Sequence, residues 1–134
     1  MDFYVHLYDD RENLNIFLEN NFAHQKTVVN DYSELKTLIP SSENNYVVVM
    51  TVGYRTDDIV VRSLMDKDFR FFGLLGSKKK IEKMFADYGK EGLDEALLKK
   101  IQAPAGIQIN SQTPEEIAIS IAAEIIKVKN GVKV

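Results

Sequence analysis

The chain has 134 residues, 45% of them apolar and 28% charged, which is enough to bury one domain-sized core and too apolar for a disordered chain. Its 17 basic and 20 acidic residues leave a formal charge of -3, which argues against broad binding to nucleic acid or to an anionic membrane, so any cationic site must be local. With no cysteine, disulfides, thiol nucleophiles and cysteine metal sites are excluded. No stretch has the length of a membrane span, and Met1-Asp2-Phe3-Tyr4 does not read as a secretory leader, so the expected location is the cytoplasm.

In chain order, Phe3 to Tyr8 reads as a strand ending at Asp9-Asp10. Leu14, Phe17 and Leu18 give a short helical face, Lys26 to Val29 a short strand, and Tyr32, Leu35, Leu38 and Ile39 a short helix stopped by Pro40. Ser41 to Asn45 reads as a loop. Tyr46 to Thr51 is the strongest strand, with the unbroken apolar run of a strand buried on both faces. Ile59, Val60, Ser63 and Leu64 belong to a following helix, and Phe69 to Leu75 is a second buried strand.

That strand passes through Gly73-Leu74-Leu75-Gly76 to Ser77, an N-cap residue, and Ile81, Met84, Phe85 and Tyr88 then share one helical face. Lysines 78 to 80 occupy the first helical turn, where the helix dipole favours acids; free N–H groups with clustered cations suit a phosphate or another anion. An ordinary solvated lysine face is an equally good account of these residues taken alone. Beyond Gly89 and Gly92, a helix is expected from Asp94 to about Ile101, then a loop at Ala103 to Gly106 and a brief strand at Ile107 to Ile109. Thr113, Pro114 and Glu116 start the last helix as N-cap, first helical residue and capping-box acid, with Ile117, Ile121, Ile125 and Val128 on its buried face and Gly131 at its end.

Strand and helix alternate four times before a helical tail, which predicts an α/β domain with a mostly parallel sheet covered by helices, in three layers and as a single domain over residues 1–134. Ligands in such folds gather at the carboxyl ends of the strands. Asp9, Asp10 and Arg11 map there after the first strand, Thr51, Gly53, Arg55 and Asp57 after the third, and Gly76 and Ser77 after the fourth. An acid such as Asp9 can hold a ribose hydroxyl, but on these residues alone a turn acid capping the helix that starts near Asn13 is the better account. No Gly-x-Gly-x-x-Gly precedes it, and Gly73 to Gly76 has the wrong spacing for that fingerprint. His6 and His24 lack metal-ligand partners at helical spacing, so His6 reads as a structural side chain and no metal site is assigned. Glu115-Glu116 reads as first-turn capping, and no catalytic constellation is assigned.

Several segments together resemble one family: Tyr46 to Thr51 with Arg55-Thr56-Asp57, Phe72 to Lys80, Glu91-Gly92-Leu93, Ala103 to Gly106, and Thr113 to Ala118 with Ala123 to Ile126. They are similar to the C-terminal Rossmann-type domain of the XdhC/CoxI accessory proteins of molybdenum hydroxylases such as xanthine dehydrogenase. Asp9 and Arg11 match the Asp-x-Arg that ends that domain's second strand. The resemblance implies a role in binding the molybdenum cofactor, assisting its sulfuration and handing it to a client hydroxylase. It implies a molybdopterin-type cofactor or a nucleotide as ligand, with Asp9, Arg11, Thr51, Asp57, Gly73, Gly76, Ser77 and Lys78 as cofactor-binding residues. Lys78, nearest the turn, is the expected principal cation.

The chain departs from the family pattern at Thr51-Val52-Gly53-Tyr54, where Thr-His-x-His is usual, and at Gln102, where histidine usually precedes Ala-Pro. The family's cysteine-bearing N-terminal domain, first Rossmann strand and glycine loop have no counterpart in these 134 residues. In the usual strand order that first strand is central, between the strands matching Tyr4–Tyr8 and Tyr46–Thr51. Without it, those strands must either meet or keep open edges, and open apolar edges predict a homo-oligomer. A nicotinamide-dependent oxidoreductase on the same scaffold, and a pure interaction domain whose ligand site has decayed, are the alternative functions.

Overall fold

A computed structural model describes residues 3–11 and 23–131. The helical face expected at Leu14, Phe17 and Leu18 lies outside the described residues. Among the described residues four strands form, β1 (His6–Asp9), β2 (Gln25–Val28), β3 (Ser42–Val49) and β4 (Phe69–Leu74). The helices are α1 (Leu35–Leu38, entered through a 3-10 turn at Tyr32–Glu34), α2 (Tyr54–Leu64), α3 (Lys78–Lys90), α4 (Glu95–Leu98) and α5 (Pro114–Lys129). No helix among the described residues is long and apolar enough to cross a membrane.

The strands are parallel, as the alternation of strand and helix requires, but they form two separate pairs. β1 pairs with β2 in the register His6–Gln25 to Asp9–Val28, and β3 pairs with β4 from Tyr46–Phe71 to Val49–Leu74. The expected loop at 41–45 is instead the start of β3, where Ser42 pairs with Phe69 across a register shift. Ser42 N donates to the Asp68 carbonyl and Asp68 N to the Ser41 hydroxyl, so backbone pairing overrides the turn-forming sequence. The apolar run Tyr46–Thr51 predicts a strand buried on both faces. It is instead an edge of its own sheet: Val49 is buried, Val47 and Val48 are half-buried, and Met50 is 56% exposed. Its outer edge has no hydrogen-bonded strand among the described residues.

The β3–β4 pair carries helices on both faces. Val49, Phe72 and Leu74 join a buried cluster with Val60 and Leu64 of α2 and Ile81, Met84 and Tyr88 of α3. On the other face, Gly73 lies against Phe71 and Ala105, and Gly106 lies against Ser120 of α5. Gly106 adopts φ 103°, and a Cβ there would stand 2.5 Å from the Ser120 hydroxyl, so glycine is required twice over. Its N–H donates to the buried Glu124 carboxylate at 2.8 Å, tying the loop to α5. The brief strand expected at Ile107 to Ile109 does not form. The segment just before it takes the outer edge of β4 through Gln102 N to the Phe72 carbonyl, Leu74 N to the Gln102 carbonyl and Ala105 N to the Leu74 carbonyl. Ile109 is left exposed and Asn110 turns the chain at φ 57°.

The helix ends follow their capping residues. Ser77 caps α3 by accepting from Lys80 N, and Thr113 caps α5 by accepting from Glu116 N. Glu116 reaches back one residue further than a capping box, to the N–H of Gln112 at 2.7 Å. α4 stops at Leu98, earlier than the apolar spacing suggests, and two turn residues then deliver Ile101 to the core.

Candidate ligand site at the strand ends

The carboxyl ends of β3 and β4 are held together by one polar network. β3 ends at Val49 and Thr51 follows; α2 begins at Tyr54, which places Asp57 at the end of its first turn, with its side chain 0% exposed. Asp57 accepts from Thr51 N at 2.8 Å and from the Thr51 hydroxyl at 2.6 Å. The Thr56 hydroxyl lies 2.5 Å from that of Thr51, completing a chain from Thr56 through Thr51 to the carboxylate. From the opposite side, Lys80 of α3 pairs with Asp57 and also donates to the Leu75 carbonyl at 3.2 Å. A buried carboxylate is stable only when paired and hydrogen-bonded, and these contacts supply both.

Gly76 has its steric reason in the same contact. A Cβ on it would lie 3.1 Å from Lys80 Nζ and 3.2 Å from the last two carbons of that side chain, so glycine leaves the lysine a path back across the turn. Ser77, Lys78 and Lys79 are exposed at the start of α3. Lys80 is therefore the lysine built into the site, whereas Lys78 and Lys79 remain on its surface. Sequence reasoning misses Lys80 because three successive lysines look alike. The signal is there in combination: successive helical residues point about 100° apart, so at most one of the three can turn back over the strand ends.

Asp9 and Arg11 make a second, compact unit at the end of β1. The Arg11 guanidinium donates to both carboxylate oxygens, Nε at 2.9 Å and Nη2 at 2.8 Å, and Arg11 N donates to the same group at 3.0 Å. This side-chain bond is the main reason the Asp9 carboxyl is held below its usual range. The same pairing raises Arg11 above the ordinary guanidinium value. Burial pushes the nearby Tyr32 phenol upward. Asp9 and Thr51 both border the cleft between the two sheets.

Gly73 lies apart from these groups. It is buried inside β4, and its missing side chain accommodates the Phe71 ring, whose nearest atom would stand 2.6 Å from a Cβ. His6 is bonded to Thr27 at 2.7 Å and stacked on Tyr8 at 4.0 Å between ring centres, in keeping with a structural side chain.

A parallel strand pair with helices on both faces and polar groups gathered at its carboxyl ends defines a Rossmann-type α/β domain. The family pattern of the XdhC Rossmann domain matches residues 1–125, and the chain belongs to that family. It is 33% identical over 88 residues to "Uncharacterized protein YqeB" of Escherichia coli (strain K12), covering 66% of this chain and 16% of that protein. It is 32% identical over 87 residues to a probable xanthine dehydrogenase subunit of Bacillus subtilis (strain 168), covering 65% of this chain and 24% of that one. A crystal structure of a xanthine dehydrogenase from Bacillus halodurans superposes with a TM-score of 0.76 at 27% identity, over 98% of this chain and 37% of that chain. The chain thus spans less than a quarter of the length of the two curated relatives.

Proposed function

We propose that this domain serves an accessory role for a xanthine dehydrogenase-like molybdenum enzyme in the cytoplasm, helping to mature its cofactor or insert it into the apoenzyme. The observation that carries this reading is the family match across residues 1–125, supported by a relative and a solved neighbour both described in terms of xanthine dehydrogenase.

The residues present fit an anionic, phosphate-bearing cofactor of the molybdopterin or nucleotide type. The first turn of α3 offers main-chain N–H groups that have no partner inside the helix, and Lys78 and Lys79 add exposed positive charge beside them. Thr51 contributes a hydroxyl at the end of β3. Asp57 acts through its neighbours: it fixes Thr51 and draws Lys80 over the turn, and so shapes the ground on which an anion would sit. Asp9 and Arg11 supply a pre-formed carboxylate–guanidinium pair on the opposite side of the cleft. Gly73 contributes through packing, since it lets β4 lie close against Ala105.

The test is co-expression with an apo-hydroxylase of the xanthine dehydrogenase type, reading the client's molybdenum content and its co-purification with this chain. Calorimetry with inorganic phosphate, nucleotides and molybdopterin accompanies it. Ligand binding together with a higher molybdenum content supports the reading; unchanged molybdenum content with no complex overturns it. A second reading, an interaction domain without a ligand, is favoured by one feature: Met50 and Val52 stand 56% and 72% exposed beside the site. Co-purification with the client in the absence of any ligand binding would select it.

A further inference from the structure

The last helix, α5, is apolar on two faces. Ser120, Ile121 and Glu124 are buried against the body of the domain. Two contacts fix the helix there: the Glu124 carboxylate accepts from Gly106 N at 2.8 Å, and Arg70 Nη2 donates to the Val128 carbonyl at 3.0 Å. About half a turn around the helix, at about 100° per residue, runs a second stripe of Glu115, Ile119, Ala122, Ile126 and Lys129. Its successive spacings of four, three, four and three residues are those of a coiled-coil seam. Ile119 is 62% exposed and Ile126 40%, although apolar residues on both faces of a helix call for cover on both. These two side chains point away from the sheet, and neither lines the cleft between the strand pairs.

We propose that α5 packs antiparallel against α5 of a second copy of this chain, along this stripe and about a two-fold axis beside Ala122. Reversed end to end, the stripe is complementary to itself. Ile119 of one copy then meets Ile126 of the other on both sides of the axis. Ala122, at the centre, is small enough to let the helices approach to about 8 Å. At each end Glu115 of one copy meets Lys129 of the other. Neither residue has an ion pair within its own chain among the described residues, and Lys129 keeps an exposed side chain beside the Phe3 ring. A parallel pair would set Glu115 against Glu115 and Lys129 against Lys129, so charge selects the antiparallel arrangement. A seam about 21 Å long buries less than the roughly 1,200 Å² at which stable interfaces begin, so the dimer is weak, with a Kd of about 10–100 μM. This surface is distinct from the open strand edges behind the sequence-based expectation of an oligomer.

Sedimentation equilibrium of the full chain from about 1 to about 500 μM should show a monomer–dimer equilibrium. Ile119→Asp should weaken it at least about tenfold and leave the urea midpoint almost unmoved, because the side chain is exposed in the monomer. Glu115→Lys and Lys129→Glu should each weaken it about fivefold. An equimolar mixture of those two variants should recover wild-type association as a heterodimer, since both end pairs then join opposite charges. The chain has no cysteine, so Ala122→Cys supplies a single thiol at the proposed axis. It should cross-link copy to copy under mild oxidation at least about tenfold faster than Lys79→Cys, which places an equally exposed thiol on α3. A monomer at about 500 μM, a dimer that Ile119→Asp leaves intact, or a mixture that recovers nothing overturns the proposal. A monomeric wild-type chain whose co-purification with a client hydroxylase is lost on Ile119→Asp also overturns it, and assigns the stripe to that client.

Discussion

The contact between Asp57 and Lys80 is the most exacting test of the site's construction. Asp57 has a fully buried side chain and takes two hydrogen bonds from Thr51, while Lys80 keeps 22% of its side chain exposed. Removing one partner of a buried ion pair costs roughly 3–5 kcal/mol, because the other charge is left without compensation. The residual exposure of Lys80 lets water reach the orphaned ammonium, so Asp57→Ala should fall at the low end, about 3 kcal/mol. With a urea slope of about 1.5 kcal/mol per molar, the unfolding midpoint drops by about 2 M, readable by circular dichroism. Lys80→Met leaves the carboxylate with Thr51 alone and should cost about 2–3 kcal/mol. The double variant should be more stable than the sum of the two losses predicts, with a coupling of at least about 1 kcal/mol. Losses that add to within about 0.5 kcal/mol would show that the two groups do not stabilise one another and refute the network as described.

Other expectations test neighbouring features. Gly73→Ala places a methyl 2.6 Å from the Phe71 ring and 3.1 Å from the Ala105 side chain, so it should destabilise the domain by about 1–3 kcal/mol, measured by urea unfolding. Lys78→Glu should weaken phosphate binding and flatten its salt dependence in calorimetry, with the urea midpoint almost unmoved because Lys78 is exposed. Hydrogen bonding to Asp87 raises the Tyr54 phenol to about 12, so folding stability should fall as pH rises from about 10 through about 12. The same bond lowers the Asp87 carboxyl, whose contribution is present above the ordinary carboxylate range and lost as pH falls through its depressed value. Tyr54→Phe should remove the alkaline effect and most of the acidic one in a stability–pH profile.

Local patterns fixed much of this molecule. The apolar runs at Tyr46–Val49 and Phe69–Leu74 became strands, and the Ile81, Met84, Tyr88 spacing became the buried face of α3. Ser77 and Thr113 capped the helices their sequences start, since a capping oxygen acts over only a few residues. The family was legible for a similar reason: its motifs are short and lie in fixed order along the chain. What sequence could not decide depends on residues far apart in the chain. The Ser42–Asn45 segment looks like a loop and becomes strand through its pairing with Asp68 and Phe69. Lys80 was indistinguishable from Lys78 and Lys79 until α2 brought the buried Asp57, 23 residues away, against it. An apolar run likewise says that a strand wants neighbours on both sides without saying whether they exist. Only the tertiary structure shows that β1 and β3 stay in separate strand pairs and border one cleft, because hydrogen bonding between strands is set by where the rest of the chain has placed them.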